Sequence, residues 1–448
     1  MHVVIIGAGE VGYFLAERLS REGHDIAVVE QDAEKLREIK EHLDVLTVRG
    51  SGSSPRALEA ARIDTCAVLV AVTNSDETNL LACWLANQAG VASTVARLES
   101  EELRGAAGRE LCRAMGVDTV IDPDAETAEE ILELLDFPGM TEVARMAGGE
   151  VAVLGARVSD HAPIVGRSLK ELGREHEPEW EFLFGVISRD GTSIVPRGDH
   201  RIEAGDFVRV ICKEGGRSRL LELLGLERVT PRRVMVLGGG RTGQLIARGL
   251  EHRGTQVLVV DRDENRAKEL AEELDRATVV RGDITDSALL HEEGVGVADV
   301  VVALTGEDDA NILACLYAKS EGARETIAVV HRLELLPLLH RVGVDVALSP
   351  RTASANAVLR AVRGGGIAAV ATVLEGDAEV IELVVAPDSR ADGACLADLH
   401  LPKDVLVGAV VRDGKGQIAR GRTKLQARDR LVIFSLPRSI EPARQVFG

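Results

Sequence analysis

The sequence is poor in aromatic side chains and carries no surplus of positive charge. Among its 448 residues only 2% are Phe, Trp or Tyr, and 72 Asp and Glu outnumber 53 Lys and Arg, which gives a formal net charge of −19. General nucleic-acid binding is disfavoured, because it needs basic surface to neutralise phosphates. Stacking platforms for single strands are disfavoured as well, because they are built from aromatic rings.

Cysteine motifs and long apolar runs are also lacking. The six cysteines form no CxxC pair and no Cys/His cluster at ligand spacing, so the sequence indicates neither a disulfide framework nor a metal site. No signal peptide is evident, and every apolar run is shorter than the roughly 18–20 residues that span a bilayer. We therefore expect a cytosolic protein of roughly two to four domains, with any membrane role supplied by a partner.

The chain contains an internal duplication. Matching segments follow one another in the same order over more than two hundred residues, which indicates a repeat of the whole architecture. The main pairs are GAGEVGYFLAERLSREGHDIAVVEQD at 7–32 with GGGRTGQLIARGLEHRGTQVLVVDRD at 238–263, VAVTNSDETNLLACWLA at 70–86 with VALTGEDDANILACLYA at 302–318, and GVISRDG at 185–191 with GAVVRDG at 408–414.

The first part of each copy alternates short apolar strands with amphipathic helices, which predicts a doubly wound parallel sheet. In the first copy we predict strands at 2–6, 26–30, 45–48, 66–72 and 94–96, and helices at 11–21 and 77–89. The second part of each copy has shorter strands and Arg-Asp-Gly turns, which indicates a small α+β lobe.

The predicted fold class is therefore α/β, with two tandem Rossmann-like domains that are each followed by an α+β lobe. Helices near 125–135 and 353–362 would connect sheet to lobe, and a charged stretch near 227–233 would join the copies. The predicted domains are a nucleotide-binding domain at 1–124, a crossover helix and lobe at 125–228, a second nucleotide-binding domain at 229–351, and a second crossover helix and lobe at 352–448.

Two glycine-rich turns carry the most specific chemistry. Each follows a predicted strand and opens a helix, as in the dinucleotide-binding fingerprint. There the first glycine allows a tight turn, the second lets a pyrophosphate approach the backbone, and the third lets the helix pack on the strand, while the helix N-terminus favours the phosphates. The residues are Gly7, Ala8, Gly9, Glu10, Val11 and Gly12 in the first copy and Gly238, Gly239, Gly240, Arg241, Thr242 and Gly243 in the second.

An acid follows each turn at the same spacing. Glu30 lies 18 residues beyond Gly12, and Asp261 lies 18 residues beyond Gly243. A carboxylate there accepts hydrogen bonds from the adenosine ribose and repels the 2′-phosphate of NADP. The pattern predicts NAD(H) binding in both copies; the alternative is a pair of ordinary strand–helix turns followed by solvated acids.

The two turns differ in charge at one position, where the first copy has Glu10 and the second copy has Arg241. A carboxylate is adverse at a phosphate site, whereas a guanidinium can pair with phosphate oxygens. We hypothesise that the second site tolerates a more negative nucleotide, such as ATP, better than the first. The alternative is that both side chains face solvent.

Further paired positions of the two copies follow the third, fourth and fifth strands, at the edge where ligands of open α/β sheets bind. These residues could contact a ligand, and they could equally well cap the ends of the strands. They are Ser51, Thr73, Asn74 and Arg97 in the first copy and Asp283, Thr305, Gly306 and Arg332 in the second.

Sequence motifs for catalysis are missing. The chain has no GxSxG, no P-loop and no HExxH motif. A hydride-transferring enzyme needs an acid or base near the nicotinamide, yet none of the 11 histidines occupies matching strand-end positions in both copies; the counterpart of His331 is Ala96. We expect no catalytic residues and no enzyme activity.

Together the tandem GAGEVG and GGGRTG turns, the acids Glu30 and Asp261, and the lobes with Arg-Asp-Gly turns resemble the TrkA family over essentially the whole chain. Members are cytosolic NAD-binding regulatory subunits of bacterial Trk potassium-uptake systems, and their module is known as RCK or KTN. The resemblance implies NAD(H) and ATP or ADP as ligands, at 7–11, Glu30, Thr73, Asn74 and Arg97 in the first site and at 238–242, Asp261, Thr305 and Arg332 in the second.

The resemblance also implies a homo-oligomeric gating ring, a tetramer of tandem-repeat chains, on the inner face of the cell membrane. The ring would dock on a membrane-embedded K⁺-translocating subunit, and hinges near 136–139 and 363–366 would move when nucleotides shift its conformational populations. The acidic surplus predicts a basic cytosolic face on that partner. The alternatives are an NAD(H)-dependent oxidoreductase and a nucleotide sensor with a partner that is not a channel.

Overall fold

The computed structural model describes residues 1–103, 105–175, 177, 180–226, 230–362, 367–371 and 378–448. The chain forms two compact units, Met1–Glu126 with Pro350–Gly365, and Thr127–Ser349 with Gly366–Gly448. The hinge predicted at 363–366 and residues 227–229 of the predicted linker lie outside the described residues.

The first sheet consists of six parallel strands in the order β3-β2-β1-β4-β5-β6. This is the strand order of dinucleotide-binding folds, in which the ligand crevice lies where the order reverses, between β1 and β4. The strands are β1 (His2–Ile6), β2 (Asp25–Glu30), β3 (Leu46–Arg49), β4 (Val68–Ala71), β5 (Ser93–Arg97) and β6 (Thr119–Ile121). The helices are α1 (Glu10–Arg21), α2 (Ala33–His42), α3 (Pro55–Ala60), α4 (Asp76–Gln88), α5 (Ala106–Ala114) and α6 (Pro123–Leu135).

Apolar residues on both faces of the strands explain why this sheet is parallel and doubly covered. Val3 and Ile5 pack on one face, against α1, while Val4 and Ile6 pack on the other, against α4. All four side chains are fully buried. A continuous apolar run therefore fills two cores, as expected for parallel strands that are buried on both sides.

An antiparallel lobe follows, with strands in the order β10-β9-β11-β8-β7. Its strands are β7 (Glu142–Met146), β8 (Val151–Arg157), β9 (Phe182–Arg189), β10 (Thr192–Ile194) and β11 (Phe207–Cys212), and its helices are α7 (Leu169–Glu175) and α8 (Arg217–Leu224). The predicted Arg-Asp-Gly turn connects β9 to β10, and Asp190 and Gly191 both have the positive φ that such a tight turn requires.

The second sheet repeats the first, with the parallel order β14-β13-β12-β15-β16-β17. Its strands are β12 (Arg233–Leu237), β13 (Gln256–Asp261), β14 (Thr278–Arg281), β15 (Val300–Ala303), β16 (Glu325–Val329) and β17 (Val346–Leu348). Its helices are α9 (Arg241–His252), α10 (Glu264–Glu273), α11 (Ser287–Glu292), α12 (Asp308–Glu321), α13 (Leu336–Val342) and α14 (Pro350–Val362).

The second lobe repeats the antiparallel arrangement with the order β18-β19-β22-β20-β21. Its elements are β18 (Ile367–Ala371), β19 (Glu379–Val384), β20 (Val405–Arg412), β21 (Lys415–Ile418), β22 (Arg430–Ser435) and α15 (Ile440–Phe447). The two lobes share a core, in which the ring of Phe434 packs directly on the backbone of Gly185 and Gly408. A Cβ at Gly185 would lie 2.2 Å from that ring, so close packing of the lobes requires glycine there.

The two crossover helices pack on the sheet of the other copy. Val358 and Leu359 of α14 are fully buried against the first sheet and α1. Ile131 and Leu134 of α6 are buried against the second sheet, together with Val236 and Ile246. The sequence predicts these helices as connections from sheet to lobe, and the structure shows that each also completes the core of the opposite repeat.

Candidate nucleotide-binding sites

The first glycine turn contains two glycines that the protein itself requires. Gly7 has a φ of +104°, in the region that favours glycine, and its ideal Cβ would lie 3.1 Å from Cγ2 of Thr73. A Cβ on Gly12 would lie only 1.9 Å from the carbonyl oxygen of Gly7, so α1 could not approach β1 with any larger residue. These are the first and third roles that the fingerprint assigns.

Gly9 has no such packing reason. Its φ is −69°, which any residue adopts, and apart from neighbouring residues of the turn no atom of the described chain lies within 4 Å of the position of its Cβ. Gly9 is also the N-cap of α1, and no side chain caps this helix end. The missing side chain thus leaves open space where free N–H groups would face a pyrophosphate, which is the second role of the fingerprint.

The second turn repeats this division of roles. Gly238 has a φ of +120°, and a Cβ on Gly243 would lie 2.1 Å from the carbonyl oxygen of Gly238. Gly240, the N-cap of α9, has a φ of −58°, and its Cβ would meet no described atom within 4 Å. Both turns therefore fit a bound dinucleotide.

The acids predicted to bind ribose are tied to the glycine turns by hydrogen bonds. The Ala8 N–H donates to Oε2 of Glu30 at 2.8 Å, and the Gly239 N–H donates to Oδ2 of Asp261 at 2.6 Å. Each carboxylate therefore lies at the end of its strand, beside the open helix N-terminus. This is the placement that ribose recognition requires.

Hydrogen bonds keep Glu30 ionised. Partial burial alone would raise the pKa of this carboxyl group, but the N–H groups of Ala8, Asp32 and Gln31 donate to it, and the net result is a pKa below the ordinary value. The remaining oxygen, Oε1, accepts from Gln31 at 2.6 Å and from Asp32 at 3.0 Å. A carboxylate held in this way can accept hydrogen bonds from a diol at neutral pH.

The threonines at the end of the fourth strand belong to a buried clamp. The Thr73 hydroxyl donates to Oδ1 of Asn79 at 2.7 Å, and Nδ2 of Asn79 donates to the carbonyl oxygens of Thr73 and Arg97. Thr305 and Asn311 form the same clamp in the second copy. Sequence reasoning missed the two asparagines, although they match in the repeated segments. Asn74 is exposed beside the clamp, at the position of Gly306.

Arg97 is the last residue of β5, whereas Arg332 lies three residues beyond β16, so the predicted equivalence of the two arginines is wrong. Both pair with acids of their own domains. Arg97 pairs with Glu99, and Nε of Arg332 lies 3.2 Å from Asp308. Burial alone would raise the pKa of Asp308, but hydrogen bonds from His331 and Arg332 hold it at about 2. A nucleotide that uses either arginine must therefore compete with a carboxylate.

The remaining predicted residues have local roles. The Ser51 hydroxyl lies 2.7 Å from that of Ser53, and Oδ1 of Asp283 accepts from the Thr285 hydroxyl at 2.7 Å. Both stabilise the turn that follows the third strand. The Val11 side chain is buried, so only the backbone of this residue could contact a ligand. Thr242 is the second residue of α9, next to the open N-cap.

Arg351 lies beside the first glycine turn, and sequence reasoning missed it. It is the second residue of α14, and its guanidinium pairs with the carboxylate of Glu10, the first residue of α1. The acid that looked adverse to phosphates is therefore neutralised by a side chain from the other copy. The sequence offers one signal for Arg351: the matching position of the first crossover helix is the acid Asp124, so the charge at this position differs between the copies, as it does between Glu10 and Arg241.

Among the described residues, no group of three or more His, Cys, Asp or Glu side chains is placed to hold a metal ion. The helices in the same part of the chain include none that is both long and apolar enough to cross a bilayer.

Two Rossmann-type sheets, each with an open glycine turn and an acid at the end of its second strand, and each followed by an antiparallel lobe, define a tandem Rossmann-type protein of the α/β class. The family model of the TrkA-N domain matches residues 3–123 and 234–350, and that of the TrkA-C domain matches residues 153–225 and 380–448. The chain belongs to the TrkA family.

Curated relatives match over nearly all of their length. The Trk system potassium uptake protein TrkA of Halomonas elongata is 35% identical over 100% of this chain and 98% of its own. The TrkA homolog of Archaeoglobus fulgidus is 35% identical over 100% of both chains. The likeness therefore extends over the whole chain, as the sequence resemblance predicts.

Solved structures share the fold at lower identity. The GsuK channel superposes with a TM-score of 0.60 at 18% identity, over 99% of this chain and 78% of that one. The GsuK channel bound to NAD gives 0.59 at 18% identity, over 100% and 78%. The GsuK RCK domain gives 0.58 at 19% identity, over 100% and 94%. These likenesses confirm the predicted tandem RCK-type fold.

Proposed function

We propose that this chain is a cytoplasmic regulatory subunit that binds NAD(H), and ATP or ADP, at its two glycine turns and gates a membrane-embedded K⁺-translocating partner. The observation that carries the proposal is the empty space at Gly9 and Gly240, beside Glu30 and Asp261. Family membership supports it, because the relatives are named as potassium uptake proteins.

The nucleotide acts as an effector and leaves chemically unchanged. The polar groups at the ligand edge of the sheets hold one another: the threonines are clamped by Asn79 and Asn311, and Nδ1 of His331 lies 3.0 Å from Asp308. Groups engaged in this way support binding and give no reason to assign a proton-transfer step. We expect NADH to bind without being consumed.

Regulation follows from differential affinity. A nucleotide shifts the chain between two conformations only to the extent that it binds one of them more tightly. The element that changes shape would be a ring of several chains, docked on the cytosolic face of the partner. The net charge of −19 supports docking on a basic face.

The test is reconstitution of the full chain with the Trk membrane subunit in liposomes. K⁺ flux is measured with NADH, NAD, ATP, ADP or no nucleotide, while the absorbance of NADH is followed in the same sample. We expect flux to depend on which nucleotide is present, at constant NADH concentration. Equal flux under all five conditions would overturn the gating role, and steady NADH consumption would favour an oxidoreductase.

A further inference from the structure

Two helix N-termini and one ion pair meet at the first glycine turn. Glu10 begins α1, Arg351 lies in the first turn of α14, and their side chains form an ion pair that is partly exposed, at 49% and 33% respectively. Both helices exceed ten residues, so each contributes a positive dipole end at this place. Glu10 supplies the one negative charge of this ion pair, directly beside the open N-cap Gly9.

In the second copy, the acid and the arginine occur at the same two positions with their places swapped. Arg241 follows its glycine turn where the first copy has Glu10, and the first crossover helix has Asp124 where α14 has Arg351. Each pair of aligned positions thus contains one acid and one arginine. Both copies therefore combine one acid and one arginine at the start of the glycine-turn helix and the start of the crossover helix.

We propose that Arg351 is a phosphate-binding residue of the first nucleotide site, and that Glu10 holds its guanidinium until a nucleotide phosphate displaces the carboxylate. The proposal rests on the proposed function, and it names the group through which the first site senses its ligand. A nucleoside triphosphate, which carries more charge than the pyrophosphate of NAD(H), competes best with a single carboxylate for a guanidinium fork.

Displacement of Glu10 by a phosphate would transmit binding to α14. Leu359 and Val358, on the same helix, are buried against the first sheet, so a movement of the helix N-terminus changes packed apolar contacts. Because α14 belongs to the second copy in sequence, a phosphate bound in the first copy would bias the position of a helix that leads to the second lobe.

The test measures binding by calorimetry in the full chain with the second site silenced by Gly240→Asp. The two members of the ion pair are neutralised in turn, as Arg351→Gln and Glu10→Gln, and ATP, ADP and NADH are titrated. We expect Arg351→Gln to weaken ATP binding about tenfold or more, and Glu10→Gln to strengthen it several-fold. NADH should change less than ATP in both variants.

Opposite signs are the decisive result, because both substitutions break the same ion pair. A purely structural pair would shift affinity in the same direction from either side, and that outcome, or no shift in either variant, would overturn the proposal. Arg360→Gln is the matched control, since Arg360 lies on the same helix and pairs with Glu126. It should leave all three affinities unchanged.

Arg351→Lys tests the same proposal if Arg351→Gln fails to fold. It retains the charge but not the fork, so an intermediate loss of ATP affinity is expected, and undiminished affinity would overturn the role of the guanidinium. Absence of any nucleotide binding by the chain that carries only Gly240→Asp, together with none by the unmodified chain, would instead overturn the proposed function itself.

Discussion

At the scale of single residues, substitutions at Gly9 and Gly240 can test ligand binding without disturbing the fold. Each is the N-cap of a helix, with ordinary φ and open space around its Cβ. We predict that Gly9→Asp and Gly240→Asp abolish nucleotide binding at the altered site while the melting temperature stays unchanged or rises slightly, because Asp is a preferred N-cap and its carboxylate occupies the phosphate position. Calorimetric titration and thermal unfolding of the same samples check both parts.

Gly12→Ala provides the contrast within the same turn. Its Cβ would lie 1.9 Å from the carbonyl oxygen of Gly7, so α1 must move away from β1. We therefore expect this variant to lower the melting temperature of the first unit, and a stable Gly12→Ala protein would show that the packing argument is wrong.

Glu325 should give the second unit a pH-dependent stability. It lies in the wall of a cavity of about 770 Å³, near Asp345, Lys319 and Gly139. Burial, and next Asp345, raise the pKa of its carboxyl group to about 7, although the Gly139 N–H and Lys319 oppose this. The unfolded chain loses the same proton near the ordinary value of 4.5, so stability should fall as pH rises from about 4.5 to about 7.

The variant Glu325→Gln has no proton to lose. Relative to the unmodified chain it should gain stability across that pH range, by at most about 3 kcal/mol at pH 8 and by little at pH 5. Denaturant unfolding at both pH values measures the difference, with the exposed Glu292→Gln as the control. A difference that does not grow with pH would contradict the assignment.

The residues of the sites could be predicted from the sequence only where a local pattern encodes them. The glycine turns and Glu30 lie within one strand–helix–strand unit, so their spacing predicts the geometry that the structure shows for Ala8 and Glu30. Arg351 comes from the other copy, and its contact with Glu10 depends on tertiary packing that no local pattern records.

At the scale of elements, the exchange of crossover helices makes each sheet depend on the other half of the sequence. Leu359 of α14 is fully buried in the core of the first sheet. We predict that Leu359→Ala destabilises the first unit by about 2–5 kcal/mol. In hydrogen exchange, protection should fall in β1 and β4 and persist in β12 and β15.

The matched variant is Ile131→Ala on α6, which is fully buried against the second sheet. Here the loss of protection should occur in β12 and β15, although residue 131 directly follows the first sheet in sequence. If each variant instead loosened the sheet of its own copy, the helices would not be exchanged in solution.

The positions of strands and helices were predictable at this scale, whereas the docking of α6 and α14 was not. Apolar runs such as residues 2–6 fit strands buried on both faces, and the structure has β1 at His2–Ile6. The crossover helices carry an apolar face of the same kind in both copies, and both sheets offer an apolar surface to receive it. The pattern therefore specifies burial but not the partner sheet.

At the scale of the whole molecule, the proposed function places two nucleotide sites in one assembly, and their separate contributions can be measured through the partner. In the reconstituted system we predict that Gly9→Asp and Gly240→Asp each reduce the change in K⁺ flux caused by nucleotides, and that the double variant shows none. The reason is that each site shifts the conformational equilibrium by its own differential affinity, and a full switch from 1:99 to 99:1 needs about 5.5 kcal/mol in total.

The single variants also show whether both sites respond to ATP. If Arg351 and Arg241 supply equivalent guanidiniums, both single variants should retain some response to ATP through the intact site. Arg360→Gln, which leaves both turns untouched, should respond like the unmodified chain. A double variant that still responded fully to nucleotides would place the gating site elsewhere, because both open N-caps would then carry a carboxylate in the space that the phosphates need.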